Sequence, residues 1–264
     1  MTRHEYVRTI YNFGCNNFKT AFASLYFLPA MMKTRLLFLA LPLLGFLATS
    51  LHAGETPSKY LALGQPDALV LLAPPPVAGS PEDTADLETT FQAYHTATPA
   101  ERARGIDEIN LTIFHFAPAI GPWFAPGKFP KTEALFKEVE AETKAVTSRG
   151  KKHWQRIRPY HVDPARFPNA IEHEKITDYS YPSGHSTRAT VFALLLAEMF
   201  PDKREALLAT SRDIGWRRVE GGVHFPTDIY AGRVLGQAIV RELLANPAFQ
   251  QDLSEAKAEL AAQH

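Results

Sequence analysis

Residues 182–200 read PSGHSTRATVFALLLAEMF, a polar start opening onto an apolar run. Ser183 is a favoured N-cap residue, and Gly184 lets a ligand approach the backbone closely. An apolar helix over about 184–200 follows. Free N–H groups in its first turn, together with the helix dipole, form a ready anion site, with His185 beside it. A lone Ser-Gly-His reads equally as an ordinary capped helix start with an exposed histidine.

Outward from this stretch the signals stay helical. Downstream, helices are expected at about 202–220, 228–245 and 248–262. Upstream, about Thr132 to Gln155 carries Leu135, Val139 and Val146 at roughly helical spacing, with charged residues between them. Thr98-Pro99-Ala100-Glu101 has the form of a capping box with proline at the first helical position. Ile106, Ile109, Ile113 and Phe116 continue from it at helical spacing. Arg158-Pro159 breaks the chain, because a residue before proline avoids the helical conformation, and a loop rich in Pro, Asp and Asn covers 159–182. Over 54–81, Pro74-Pro75-Pro76 after Leu69–Leu72 reads as an extended arm lying across the domain. No alternating strand pattern of useful length and no repeat is present. The expected fold is all-α, an antiparallel helical bundle filling 54–264 as a single domain.

The chain has 264 residues, 45% of them hydrophobic and 11% aromatic, enough for one well-buried domain. Formal net charge is zero, so nothing global points to nucleic acid or an acidic partner. Residues 1–53 read as an upstream extension plus a secretory signal over about 32–53. Its parts are the basic Met32-Lys33-Thr34-Arg35, the apolar run Leu36 to Ala48, and small residues near Ala53. That run is shorter than the roughly 20 residues of a spanning helix, although an uncleaved anchor has the same outline. Leu51 suits the cut after Ala53 poorly, so Ala48 and Ser50 also remain as cleavage points. Met31 or Met32 is the expected start, and the single cysteine, Cys15, lies upstream of it. Cleavage after Ala53 leaves 23 Lys/Arg against 27 Asp/Glu, and no cysteine to form a disulfide. The expected location is periplasmic or secreted, with no stable membrane span once the signal is removed.

Two further motifs carry chemistry. Lys151 precedes Arg158 by seven residues, close to two helical turns, so both cations would share a face if the helix persisted that far. Alone, that run reads as a solvated basic patch, since Lys152, His153 and Arg156 are also basic. In the second motif, Arg218 is followed by His224 and Asp228. Gly221-Gly222 ends the helix bearing Arg218, and Thr227 or Asp228 caps the next. Asp228 then reaches back to accept one N–H of His224, leaving the other ring nitrogen nucleophilic. Three nearby cations repel a divalent metal and favour an oxyanion, so no metal site and no cofactor are expected.

Taken in order, Lys151-x6-Arg158-Pro159, Pro182-Ser183-Gly184-His185 and Arg218-x5-His224-x3-Asp228 resemble the signature of the type 2 phosphatidic acid phosphatase (PAP2) superfamily, which includes vanadate-dependent haloperoxidases. Leu71-Leu72-Ala73-Pro74-Pro75-Pro76, Ile157-Arg158-Pro159, Asn246-Pro247-Ala248-Phe249-Gln250 and the Ala/Lys-rich end are similar to bacterial class A non-specific acid phosphatases, over about residues 60–262. The resemblance implies an exported, all-α, metal-independent acid phosphatase acting on small phosphate esters, blocked by vanadate and able to form homo-oligomers. It implies His224 as nucleophile through a phosphohistidine, Asp228 as its support and His185 as acid and base. Lys151, Arg158 and Arg218, with Ser183 and Gly184, would cradle the phosphate.

Departures from the pattern bear on substrate range. Arg217 stands where the family usually has Ser, and its presence is expected to alter affinity or substrate choice. Glu220 stands where several relatives have Cys, and Phe225-Pro226-Thr227 is more like the membrane lipid-phosphatase branch. The alternatives are a lipid or lipid-linked pyrophosphate phosphatase, a vanadate-dependent haloperoxidase, and a degenerate member that binds phosphate without turnover. His95, His115, His153, His161 and His173 match no motif position, and only His153 and His161 are expected as pocket neighbours.

Overall fold

Prolines and short polar side chains set where the helices start. In the computed structural model, which describes residues 58–171 and 179–262, α1 spans Ala68–Leu71, α2 Pro81–Thr96, α3 Pro99–Asp107, α4 Ala117–Ile120 and α5 Pro130–Trp154. Then come α6 Pro159–Val162, α7 Gly184–Met199, α8 Arg204–Glu220, α9 Pro226–Ala245 and α10 Pro247–Ala261. The described residues contain helices and 3-10 turns and no strand, so the fold is all-α. None of these helices is long and apolar enough to cross a membrane. The expected export signal lies outside the described residues.

Helix α7 is the core element. Ala189, Val191, Phe192, Ala193, Leu195 and Leu196 are all at most 1% exposed, and each large apolar side chain so buried contributes about 1.5–3 kcal/mol. It packs against α8, α9 and α5. The approach of α9 is close: a Cβ at Gly232 would lie 2.7 Å from the Ser183 carbonyl oxygen, and one at Gly236 2.9 Å from that of Thr187. Glycine at these two positions lets backbone meet backbone. The starts of α7 and α9 are therefore side by side, with the Ser183 N–H donating to the Asp228 carbonyl (3.1 Å). Because α7 and α9 start at the same end, α8 between them runs the opposite way.

The arm before α2 is held by buried polar contacts. Glu142 of α5, 5% exposed, accepts the N–H groups of Lys59 (2.6 Å), Tyr60 (2.7 Å) and Leu61 (3.0 Å). The Tyr60 hydroxyl donates to Asp252 of α10 (2.6 Å). Most of the arm is non-helical, as its prolines require, but Asp67 caps the single turn α1 within the stretch expected to be extended.

Three other expectations are corrected. The helix expected through Ile106, Ile109, Ile113 and Phe116 breaks into α3 and two 3-10 turns, Glu108–Asn110 and Ile113–Phe116. Ile106 is 57% exposed while Phe116 is fully buried, so these residues do not line one helical face. Thr112 instead starts a new turn by accepting from the Phe114 N–H (3.3 Å). Helix α5 ends at Trp154, with Gln155 in the left-handed region (φ 49°), so Lys151 and Arg158 do not share a helix face. Finally, Phe225 occupies the N-cap position of α9, placing Thr227 and Asp228 inside its first turn.

Candidate active site

Four chain segments deliver the motif residues to one place. Lys151 sits in the last turn of α5 and is 7% exposed; Arg158, beyond the left-handed turn at Gln155, is 4% exposed. The two converge on one acceptor: Lys151 Nζ donates to the Tyr179 carbonyl oxygen at 2.5 Å, and an Arg158 guanidinium nitrogen at 3.2 Å. The other terminal nitrogen of Arg158 donates to the Val223 carbonyl (2.7 Å) and lies 3.2 Å from His224 Nε2. The seven-residue spacing thus works through a turn rather than through helical periodicity.

His224 follows the end of α8, where Gly222 takes φ +71°. Its backbone N–H donates to the Arg218 carbonyl (3.3 Å), which ties the two motif residues together. Its Nδ1 lies 3.1 Å from Asp228 Oδ2. A buried carboxylate beside Nδ1 selects the tautomer protonated there, so Nε2 keeps its lone pair and faces Arg158. Asp228 is fully buried. Its Oδ2 also accepts from the Ser180 hydroxyl (2.5 Å) and the Phe225 N–H (2.9 Å), and its Oδ1 from Arg156 (2.8 Å). A carboxylate with this many donors has little freedom to rotate.

The start of α7 forms the facing wall. Ser183 accepts from the Ser186 N–H (3.3 Å), and a Cβ at Gly184 would be 3.9 Å from Lys151 Cε, which puts the lysine stem beside the helix start. By helix geometry, the N–H groups of Gly184 and His185 have no intrahelical acceptor. His185 donates through Nε2 to the Ile109 carbonyl (3.1 Å). Burial first, then the positive charges of Arg218 and Arg188, hold its ring well below the usual histidine range. Both effects favour the neutral ring in the protein alone.

The structure brings together Lys151, Arg158, Ser183, Gly184, His224 and Asp228 through these contacts, with Arg218 bonded to His224 through the backbone and electrically coupled to His185. His153 and His161 are exposed, one ring against Trp154 and the other against Tyr160. His173 lies outside the described residues. Among the described residues, no group of three or more His, Cys, Asp or Glu side chains is arranged to hold a metal ion.

Sequence reasoning missed Ser180 and Asp86, read Thr227 only as a helix cap, and set Arg156 aside as part of a solvated patch. Arg156 is 8% exposed. Its proximity to Arg158 was a usable signal; nothing local marks Asp86. Arg217, which stands where the family usually has Ser, forms a forked ion pair with Glu108, at 2.7 and 2.5 Å.

A model of the PAP2 superfamily matches residues 140–250, which include every motif position above. The chain is 29% identical over 232 residues to a non-specific acid phosphatase of Providencia stuartii, covering 82% of this chain and 94% of that protein. It is 26% identical over 238 residues to a non-specific acid phosphatase of Salmonella typhi, covering 87% and 93%. A shorter stretch of 57 residues is 42% identical to a lipid A 1-phosphatase of Rhizobium etli, covering 22% of this chain and 25% of that protein. Residues 140–250, where the three spaced motifs meet at the paired starts of α7 and α9 in the helical part described, thus match the PAP2 superfamily.

Proposed function

We propose that this protein is a metal-independent acid phosphatase that hydrolyses phosphate monoesters through a phosphohistidine. The observation that carries this reading is the line Asp228–His224–Arg158, in which a buried carboxylate holds one ring nitrogen and an arginine stands at the other. His224 Nε2 attacks phosphorus in line, forming the N–P bond as the ester P–O bond breaks, and His185 delivers a proton to the departing alkoxide. Water then attacks the phosphohistidine, His185 takes its proton, and the N–P bond breaks to release phosphate. Arg158, Lys151 and Arg218 bind the equatorial oxygens, with the Gly184 and His185 N–H groups completing the cradle. As phosphate arrives, Arg158 transfers its donors from Nε2 and the Tyr179 carbonyl to phosphoryl oxygens.

His185 must be protonated for the first step, which the protein alone disfavours. A phosphoryl dianion beside Arg218 offsets the arginine's charge and raises the affinity of the ring for a proton, so the acid forms as substrate binds. The expected optimum is acidic to near neutral, in a periplasmic or secreted location. Turnover of p-nitrophenyl phosphate that survives chelator and is blocked by vanadate, with acid-labile, alkali-stable labelling of the protein, supports this mechanism. Loss of activity in chelator, or an absence of labelling, counts against it.

The match to a lipid A 1-phosphatase and the Phe225-Pro226-Thr227 run favour a second reading, a lipid phosphatase working from the membrane surface. A higher kcat/KM on a lipid phosphate in mixed micelles than on soluble monoesters would select it.

A further inference from the structure

We propose that Arg156 and Asp86 are positioning residues that strap α2 to the His224–Asp228 pair and hold the Asp228 carboxylate in its working plane. This rests on the reading of His224 as nucleophile. Arg156 occupies the turn between α5 and α6. One terminal nitrogen donates to Asp228 Oδ1 (2.8 Å) and to the Thr227 hydroxyl (2.7 Å). The other donates to Asp86 Oδ2 (2.8 Å) and Asp83 Oδ1 (3.0 Å). The guanidinium lies 3.8 Å from the centre of the Phe225 ring. The Thr227 hydroxyl donates in turn to Asp86, whose Oδ1 accepts the Thr227 N–H (3.2 Å). These bonds close a ring through Asp228, Arg156, Asp86 and Thr227, of which Asp228, Arg156 and Asp86 are buried.

The ring does two things for the dyad. Phe225 offers no side-chain acceptor at the N-cap of α9, so Asp86 caps the helix from α2 and fixes the turn carrying Asp228. The arginine fork also sets the carboxylate plane, because rotating Asp228 toward His224 or away from it breaks the bond at Oδ1. Charge follows the same path. Phosphoryl transfer makes the His224 ring cationic, and Asp228 must answer it while sharing its charge with Arg156. Asp86 and Asp83 compensate the arginine from its far side. Asp86 is 5% exposed, and neither carboxylate lies within the matched residues 140–250.

The test uses the full chain and p-nitrophenyl phosphate, with inhibition by inorganic phosphate as a measure of the cradle. Arg156→Met is expected to lower kcat by about 10–100-fold, the range seen when outer partners of reactive ligands are removed, while the phosphate Ki changes by less than about threefold. The acidic limb of the kcat profile should move to higher pH in Arg156→Met, because a positive charge beside the dyad is lost, and to lower pH in Asp86→Asn, because a negative one is lost. The other titratable or charged groups around the dyad are Tyr181 near Asp228, Asp83 on Arg156, Arg158 at His224 Nε2, and Arg218, bonded to His224 through the backbone. Burial and then Asp228 push the Tyr181 hydroxyl up to about 12, outside this window. Arg156→Lys should recover part of kcat, since one ammonium replaces a fork.

Folded Arg156→Met with an unchanged kcat and profile overturns the strap, as do limbs that move the same way in the two variants. If Arg156→Met does not fold, Asp86→Asn and Arg156→Lys decide, and unchanged profiles in both overturn it. His224→Ala run in parallel separates the two readings. Retained activity there removes the nucleophile assignment, whereas an inactive His224→Ala beside a wild-type-like Arg156→Met removes only the strap.

Discussion

The starts of α7 and α9 lie side by side and use the same helix-end physics in opposite ways. At α9 the protein supplies its own anions: Asp228 accepts the Phe225 N–H at 2.9 Å and Asp86 the Thr227 N–H at 3.2 Å. At α7 the cap is a neutral hydroxyl, Ser183, and a Cβ at Gly184 would meet Lys151 and Thr147 of α5 no closer than 3.9 Å. One helix end is filled with carboxylates that hold His224 still. The other carries no carboxylate and, in the proposed mechanism, receives the phosphoryl group. The two histidines differ accordingly, His224 being held by Asp228 while His185 has the Ile109 carbonyl and the repulsion of two arginines.

Removing the filled end's reactive group should have the largest effect. His224→Ala is expected to lose at least about 10⁴-fold in kcat, the scale of a lost nucleophile–base unit, together with all phosphoenzyme labelling in a quench assay. Near-normal turnover would mean that the closed end is structural only. On the open side, His185→Ala should cost about 10²–10⁴-fold on an alkyl phosphate. The loss should be much smaller on p-nitrophenyl phosphate, whose leaving group needs little protonation. Equal losses on both substrates would remove its acid role.

The contrast can also be erased by design. Gly184→Asp places a carboxylate at the open end, where the surrounding space admits a Cβ. It should weaken inhibition by inorganic phosphate about tenfold or more, because the side chain competes for the same donors. An unchanged Ki would show that the α7 start does not bind phosphate.

Two smaller effects concern stability. The His185 ring is harder to protonate in the folded protein than in the unfolded chain, where its value is about 6.5. The unfolded state therefore takes up the extra proton first, and folding stability should fall as pH drops below about 6.5 toward the folded value. Urea midpoints measured across this range should flatten in His185→Gln. Arg217→Ala should destabilise the fold by about 3 kcal/mol, since it strands the largely buried Glu108, yet change kcat by less than about tenfold. Glu108 precedes Ile109, whose carbonyl holds His185, so a larger loss would show that the Arg217–Glu108 pair also orients that ring.

Helix starts were largely legible in the sequence, because a cap and a proline act on the next turn and need nothing distant. Ser183, Thr98 and Pro99 illustrate this, and both Thr98 and Glu101 make the bonds of a capping box. Periodicity misled at Ile106, where a spacing suited to a helix face met no partner surface, and at Lys151 and Arg158, where a left-handed Gln155 ended the helix. The charged run around Arg156 read as solvated because composition carries no record of which carboxylates will surround it.

The sequence by itself determined the helical class, the order of the three motifs and the pairing of His224 with Asp228. Motif order is read directly along the chain, and the other two depend on residues within a few positions of one another, where backbone geometry sets the distances. Only the tertiary structure decided that Lys151 and Arg158 meet at the Tyr179 carbonyl, that Arg217 turns to Glu108, and that Asp86 reaches Asp228 through Arg156. Those contacts join residues far apart in the chain, and they exist because glycines let α9 settle against α7 and because a buried charge must find its counter-charge wherever packing places one.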